Sequence, residues 1–260
     1  FDHGWADAFQ RAGGQYYPKL QVTVPFTPAT GPRLLAAGGD IEAQHAAATA
    51  IQETTLQSTL SSAHLTFLPE TEANLLGEHG YLRRTDQQFH FFNRDYRDYS
   101  DFLDSLASRK RKALRKEREA ALANGITIHR LTGAELTETV WDQFFAFYMD
   151  TGGRKWGRPY VTREFFSRVG ETMADEILLV MAMRNGRYIA GAINFIGGER
   201  IYGRNWGCIE DHPFLHFEVC YHQAIDFAIE KKLKAVEAGA QGEHKLARGY
   251  EPVTTHSAHY

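Results

Sequence analysis

Three runs of β-forming residues stand almost end to end between Glu176 and Gly207: EILLVMAMR, RYIAGAINFI and RIYGRNWG. Asn185-Gly186 separates the first two, and Asn-Gly between apolar runs is the strongest short hairpin signal. GGER turns the second run into the third, so the pattern predicts a three-strand antiparallel meander. Upstream, RKRKALRKEREAALANG (109–125) consists of strong helix formers and stops at Asn124-Gly125, residues suited to a left-handed helix end. ITIHRL (126–131) alternates as a strand. Thr132 with Glu135 predicts a capping box opening a helix through AELTETVWDQFFAFYM. A glycine-rich basic loop, TGGRKWGRPY (151–160), and a short helix from Thr162 to about Thr172 lead into the meander. Beyond it, Pro213 opens a mostly apolar helix and LKAVEAGA (233–240) reads as a buried strand. GEHKLARG gives helical turns ending at Gly249, and a last strand follows. The order β-α-α-β-β-β-α-β-α-β predicts a mixed α/β sheet with helices on both faces.

The first ninety residues show the back half of the same order. KLQVTVPF predicts a strand, and TPATGPRLL leads to a long helix from Asp40 to about Leu60. HLTFLP then reads as a strand, ETEANLLGEHG as a helix and YLRRTDQQFHFF as a strand. GYLRRTDQQFHF (80–91) and GYEPVTTHSAHY (249–260) share Gly, Tyr, Thr and His at the same spacing, 169 residues apart. Two copies of one plan are expected: residues 1–97 as the back part of a first module and 98–260 as a second. On that expectation the missing strands of the first copy precede Phe1.

Composition narrows the chemistry without naming it. The 260 residues are 43% apolar and 23% charged with a net charge of −3, values of a globular protein with no general attraction to nucleic acid or membrane. No apolar run approaches the roughly 18 residues of a membrane span. Cys208 and Cys220 make neither a disulfide framework nor a CxxC pair, which suits a reduced, cytoplasmic compartment. The helix pairs His212/His216, His216/Cys220 and Glu218/His222 point to different faces, so no metal is expected. The sequence holds no Gly-x-Ser-x-Gly elbow, phosphate loop or dinucleotide fingerprint.

Residues repeated between the halves, Tyr81/Tyr250, Thr85/Thr254 and His90/His259, read as scaffold. Charge carried by the second half alone reads as chemistry: Glu237 falls opposite Leu68, Glu243 opposite Asn74, Lys245 opposite Leu76 and Arg248 opposite His79. Glu237 lies mid-strand between Val236 and Ala238, where burial would raise its pKa toward the range of a proton acceptor. A salt bridge to Lys234 or an arginine is its structural alternative. Lys245 and Arg248, one turn apart, suit a substrate phosphate or carboxylate. Tyr202 and Asn205 are candidate donors to an oxyanion. Arg154, Lys155, Trp156, Arg158 and Tyr160 combine charge with aromatic surface for an anionic substrate bearing a ring or sugar. Arg33, beside a Gly-Pro turn, is a candidate anion grip. Seven Lys/Arg within 109–118 form either a solvated helix face or a track for RNA phosphates.

With these elements in this order, SRKRKALRKEREAALANGI, RNGRYIAGAINFIGGERIYGRNWG and EHKLARGYEP resemble the FemAB-like N-acyltransferases of the GNAT (Gcn5-related N-acetyltransferase) superfamily. The resemblance implies tandem GNAT-like modules, the first incomplete in this chain, and it matches Lys245 and Gly249 to a Lys-x-x-x-Gly turn. It also implies that strands 200–207 and 233–240 splay apart around the arm of an acyl donor, with an amine entering from the other side. Ordinary acetyltransferases continue with a Gln/Arg-x-x-Gly-x-Gly/Ala loop that cradles pyrophosphate. CIEDHPFLHFE stands here instead, with Glu210, Asp211 and no glycine. The implied donor is an acyl-CoA or an aminoacyl-tRNA, used as substrate without a tightly bound cofactor. The implied acceptor is a small-molecule or peptide amine such as a cell-wall precursor. Glu237, Glu243 or a relayed water would take the proton. The alternative from another class is a non-catalytic module recognising an anionic sugar or peptide.

Overall fold

The computed structural model describes residues 2–156, 159–240 and 242–260, without the side chains of 155 and 156. In chain order the helices are α1 (His3–Arg11), α2 (Ile41–Gln57), α3 (Glu70–Glu78), α4 (Tyr99–Asp104), α5 (Ser108–Ala121), α6 (Glu138–Trp156), α7 (Arg163–Met173), α8 (Leu215–Phe217) and α9 (Gln223–Glu230). The strands are β1 (Leu20–Val22), β2 (Ala63–Leu68), β3 (Leu82–Phe92), β4 (Thr127–Leu131), β5 (Ile177–Arg184), β6 (Arg187–Gly197), β7 (Arg200–Cys208), β8 (Ala235–Glu237) and β9 (Glu251–His259). Among the described residues no helix is long and apolar enough to cross a membrane. The chain forms two compact units, one of residues 1–88 with 253–260 and one of 89–252.

In the first unit β1 runs parallel to β2, and β2 pairs antiparallel with β9, His64 opposite His259. Only three residues of KLQVTVPF form a strand; Pro25, with no N–H to give, follows soon after. Asp40 caps α2 by accepting from the N–H groups of Glu42 and Ala43. Leu34, Ala48, Leu65, Leu68, Leu76 and Ala258 make the core of this unit.

The second unit is a sheet in the order β3-β8-β7-β6-β5-β4. Its meander turns at Asn185 and Gly186, both with positive φ, as the Asn-Gly signal predicts. The sequence of β5 explains the layering. Ile177, Leu179 and Met181 face one core with Trp141, Phe144 and Phe166 from α6 and α7. Leu178, Val180 and Ala182 face the other, with Val219, Ile225 and Ala228 from the helix after β7. A strand buried on both faces must be apolar at every position, which is why it reads as an unbroken run.

Three local expectations are corrected. The Thr132–Glu135 box caps a 3-10 turn (Gly133–Glu135), and α6 begins only at Glu138. TGGRKW is not loop: α6 continues through it to Trp156. Glycine weakens a helix by only about 1 kcal/mol, and here tertiary contacts outweigh that cost. Thr151 Oγ1 accepts from the Cys208 N–H (3.2 Å), and Gly152 lies beneath Pro159. The helix after Pro213 is not uniform: α8 passes through a π-helical turn, Glu218–His222, before α9.

Gly207 sets how closely α6 can lie on β7, since a Cβ there would fall 2.1 Å from the Phe147 carbonyl oxygen. Gly207→Ala should lower the unfolding free energy in urea by about 1–3 kcal/mol or more. Gly153→Ala, where nothing lies within 4 Å of the new Cβ, should leave it unchanged or raise it by up to about 1 kcal/mol.

Candidate active site

β7 and β8 run parallel for only three residue pairs, Arg200–Ala235, Ile201–Val236 and Tyr202–Glu237. β8 ends there, and Gly239 turns the chain away at φ 74°. β7 continues to Cys208, bulged so that Arg204 is an extra residue between the pairs Asn194–Gly203 and Ile193–Asn205. The strands therefore enclose a wedge, and a 120 Å³ cavity opens in it. Asn194, Gly203, Arg204, Asn205 and Glu237 line its sheet side, and His216, Cys220 and Tyr221 close it from the helix. That volume admits a few waters or the reacting end of a chain.

Among the described residues Glu237 is the one carboxylate in the cavity wall, and it is 7% exposed. Its Oε1 accepts from Arg200 Nη1 at 3.0 Å, while Lys234 turns away to Glu199. Among the described residues its Oε2 has no hydrogen-bond partner; His90 Nε2 stands at 3.6 Å, too far for one. Burial raises its pKa, and the opposing pull of Arg200 does not cancel that rise. Tyr202, its neighbour in register, is also pushed upward, first by burial and then by the charge of Glu237.

The 3-10 turn Glu243–Arg248 closes the exit from β8. Lys245 is buried there, its Nζ donating to the carbonyls of Ala238 (2.5 Å) and Gly239 (3.2 Å). Burial lowers its pKa to about 8. Arg248 forms a two-bond fork with Glu117 of α5, at 2.7 and 2.5 Å, and its guanidinium lies 3.4 Å from the Phe217 ring centroid. Glu117 also meets His222 Nε2 at 2.8 Å, and His222 Nδ1 meets the Tyr99 hydroxyl at 2.6 Å. Burial pushes Glu117 upward, but the hydrogen bonds from His222 and Arg248 outweigh it and hold it below the usual carboxylate range. Beside this cluster Arg118 binds Glu218 and Asp226, both at 2.8 Å, under the Tyr99 ring. The π turn makes the division: Glu218 and His222 face α5, whereas Cys220 and Tyr221 face the cavity.

The structure thus brings Glu237 and Asn205 into one cavity wall, with Tyr202 next to Glu237 and Lys245 anchoring the backbone just beyond it. Glu243 is exposed on the outer side of its turn. Arg248 is committed to Glu117. Arg154 is on the surface, paired with Asp150 and donating to the Cys208 carbonyl. It lines a second, 400 Å³ pocket at the end of β7 with Trp206, Glu210, Asp211 and His212. Tyr160 is exposed. Arg158 and the side chains of Lys155 and Trp156 lie outside the described residues. Arg33 belongs to the first unit, where its guanidinium donates to the carbonyls of Ala29, Gly31, Pro32 and Thr66 and so pins the loop to β2. Sequence reasoning missed Arg200, His90, Glu117 and the cavity side of the π turn. Only Arg200 carried a signal, as a charge opening a strand beside the expected wedge.

A family model described as FemAB-like, peptidoglycan biosynthesis/recognition, matches residues 1–260. No curated protein sequence matches. Among solved structures, the chain is similar to the C-terminal domain of a protein from Agrobacterium fabrum described as a lysylphosphatidylglycerol synthetase. The TM-score is 0.61 at 10% identity, over 84% of this chain and 74% of that one. The L-PGS of Bacillus licheniformis gives 0.61 at 10% identity, over 84% and 73%. FemX gives 0.58 at 12% identity, over 91% and 82%. At such identities the likeness is one of fold.

Lys245 generates a pH prediction. An unfolded lysine titrates near ~10.4, above the native value of about 8, so between those values the unfolded chain binds more protons and native stability rises with pH. The stability difference between wild type and Lys245→Met should shift in favour of wild type from pH 8 to 10 in urea titrations. A flat difference would mean that Lys245 titrates normally.

Proposed function

The chain belongs to the FemAB-like family of peptidoglycan biosynthesis and recognition, and from that premise we propose that it is an N-acyltransferase. It moves an acyl or aminoacyl group from an activated ester or thioester to an amine acceptor, a cell-wall precursor being the class the family points to. The observation that carries this reading is Glu237: a buried carboxylate of raised pKa, in the wall of a cavity between diverging strands, with one oxygen idle. Such a group takes a proton from an ammonium readily. Among the described residues β8 pairs with β7 only as far as Tyr202, and Thr151 takes the Cys208 N–H, so the stretch of β7 between them is the edge that can meet the carbonyl under attack. Asn205 lines the same wall. Glu237 receives one proton from the acceptor's ammonium, and the neutral amine nitrogen attacks the carbonyl carbon. The C–O or C–S bond breaks with its electron pair passing to the leaving oxygen or sulfur, which takes the second N–H proton.

Two observations favour an aminoacyl-tRNA over an acyl-CoA. The pocket at the end of β7 has two carboxylates in its wall. Hydrogen bonds from His212, Arg187 and Arg184 hold Glu210 ionised, its pKa down at about 2, so these two guanidiniums are committed to a carboxylate and not to a pyrophosphate. On α5, Arg109, Lys112, Arg115 and Lys116 are exposed and carry no ion pair among the described residues, a ready track for RNA phosphates. This helix also touches the turn that follows β8, Lys110 donating to the Leu246 carbonyl at 2.6 Å.

Glu237→Gln should reduce the transfer rate about 10²–10⁴-fold while donor binding is retained. Unaltered turnover would remove Glu237 from the mechanism. In thermal-shift titrations an aminoacyl-tRNA mimic at a hundred times its Kd should add about 2.7 kcal/mol, with no response to acetyl-CoA. Stabilisation by acyl-CoA would reverse the choice of donor, and a response to neither would favour a module that only recognises its ligand.

A further inference from the structure

His90 reaches Glu237 from the neighbouring strand. β3 and β8 set the two residues directly opposite each other, with the imidazole Nε2 3.6 Å from the carboxylate Oε2. Both side chains are almost fully buried, 5% and 8% exposed. The other oxygen, Oε1, is occupied by Arg200. A buried carboxylate with one oxygen held and the other idle is half satisfied. Protonation of the idle oxygen changes that, because the new O–H needs an acceptor and a ring nitrogen stands within a small movement of it.

From this geometry we infer that His90 and Glu237 form a proton-holding pair, in which protonated Oε2 donates to an unprotonated Nε2 and the ring keeps its own proton on Nδ1. No proton passes to the imidazole. When the proton comes from an acceptor's ammonium, its N–H bond breaks and the electron pair stays on nitrogen, now neutral and nucleophilic. An O–H bond forms on Oε2. Only this source of the proton rests on the transferase reading.

The charged surroundings are compatible with that division of labour. The groups facing the pair are Arg200 and Tyr202 from β7 and Lys245 from the 243–248 turn. Burial, then Arg200 and Lys245, lower the pKa of His90 to about 4, so the ring stays neutral near pH 7 while burial favours the protonated form of Glu237. The ring is then an acceptor for the carboxyl proton and not a rival for it. His90 acts through Glu237 and is a positioning residue.

The test uses the full chain. With ¹⁵N-labelled histidine, the wild-type His90 ring should show an unprotonated Nε2 and a protonated Nδ1 at pH values just below the Glu237 midpoint, where the carboxyl is protonated; a proton on Nε2 there overturns the pair. With ¹³C-carboxyl glutamate, the resonance lost in Glu237→Gln reports the titration of Glu237. His90→Phe keeps a ring but removes the acceptor, so the Glu237 midpoint should fall by about one pH unit. His90→Gln, with an amide oxygen to offer, should restore it toward wild type. An unmoved midpoint in His90→Phe, or equal shifts in both variants, overturns the proposal. The acid limb of the transfer rate should follow the same midpoints. If the resonance shifts in a chain that transfers nothing, the pair stands and the transferase reading falls. Activity without the shift removes the pair and leaves the transferase reading in place.

Discussion

Everything at the candidate site depends on two parallel strands that part company after three residues. A longer β7–β8 ladder would consume the backbone N–H and C=O groups of β7 and leave no room for a ligand. No ladder at all would leave Glu237 held from β3 alone, without its register to Tyr202 on β7. The bulge at Arg204 and the turn at Gly239 enforce the separation from the two sides. The remaining cost is a buried carboxylate with one oxygen held by Arg200 and the other without a hydrogen-bond partner among the described residues.

The opposite side of the helix after β7 is held by charge. Glu117, Arg248, His222 and Tyr99 form one chain of contacts, and Arg118, Glu218 and Asp226 another. Removing one partner of such a buried pair typically costs roughly 3–5 kcal/mol, because the other charge is left without compensation. These contacts fix the π turn, and the π turn in turn decides which side chains face the cavity. The basic helix α5 thus has two faces with different work: Leu114, Glu117 and Arg118 hold the unit together, while its exposed lysines and arginines stay available to a polyanion.

The order of elements and the mixed sheet were legible because β5 and the Asn185-Gly186 turn are local signals, each complete within a few residues. Glu237 was legible as a charge in an apolar strand. His90 was not, since its meaning comes from strand register, which pairs residues far apart in the chain. The helix through TGGRKW escaped because glycine content argues for a loop until Thr151 and Gly152 find partners on other segments. The π turn has no compositional mark at all. Lys245 and Arg248 looked alike as neighbouring cations, yet burial sends one to backbone carbonyls and the other to a carboxylate.

The two repeated phrases become β3 and β9, and each ends in a pairing far from its neighbours in sequence: the end of β3 with β8, and β9 with β2. This has a consequence for biosynthesis. When residues 1–88 leave the ribosome, β2 has β1 on one edge and nothing on the other, and its partner β9 is made only after the whole of the second unit. Until then that edge is open to any extended strand nearby. The unit translated earlier is therefore the later of the two to be completed, and its folding is timed by the arrival of β9.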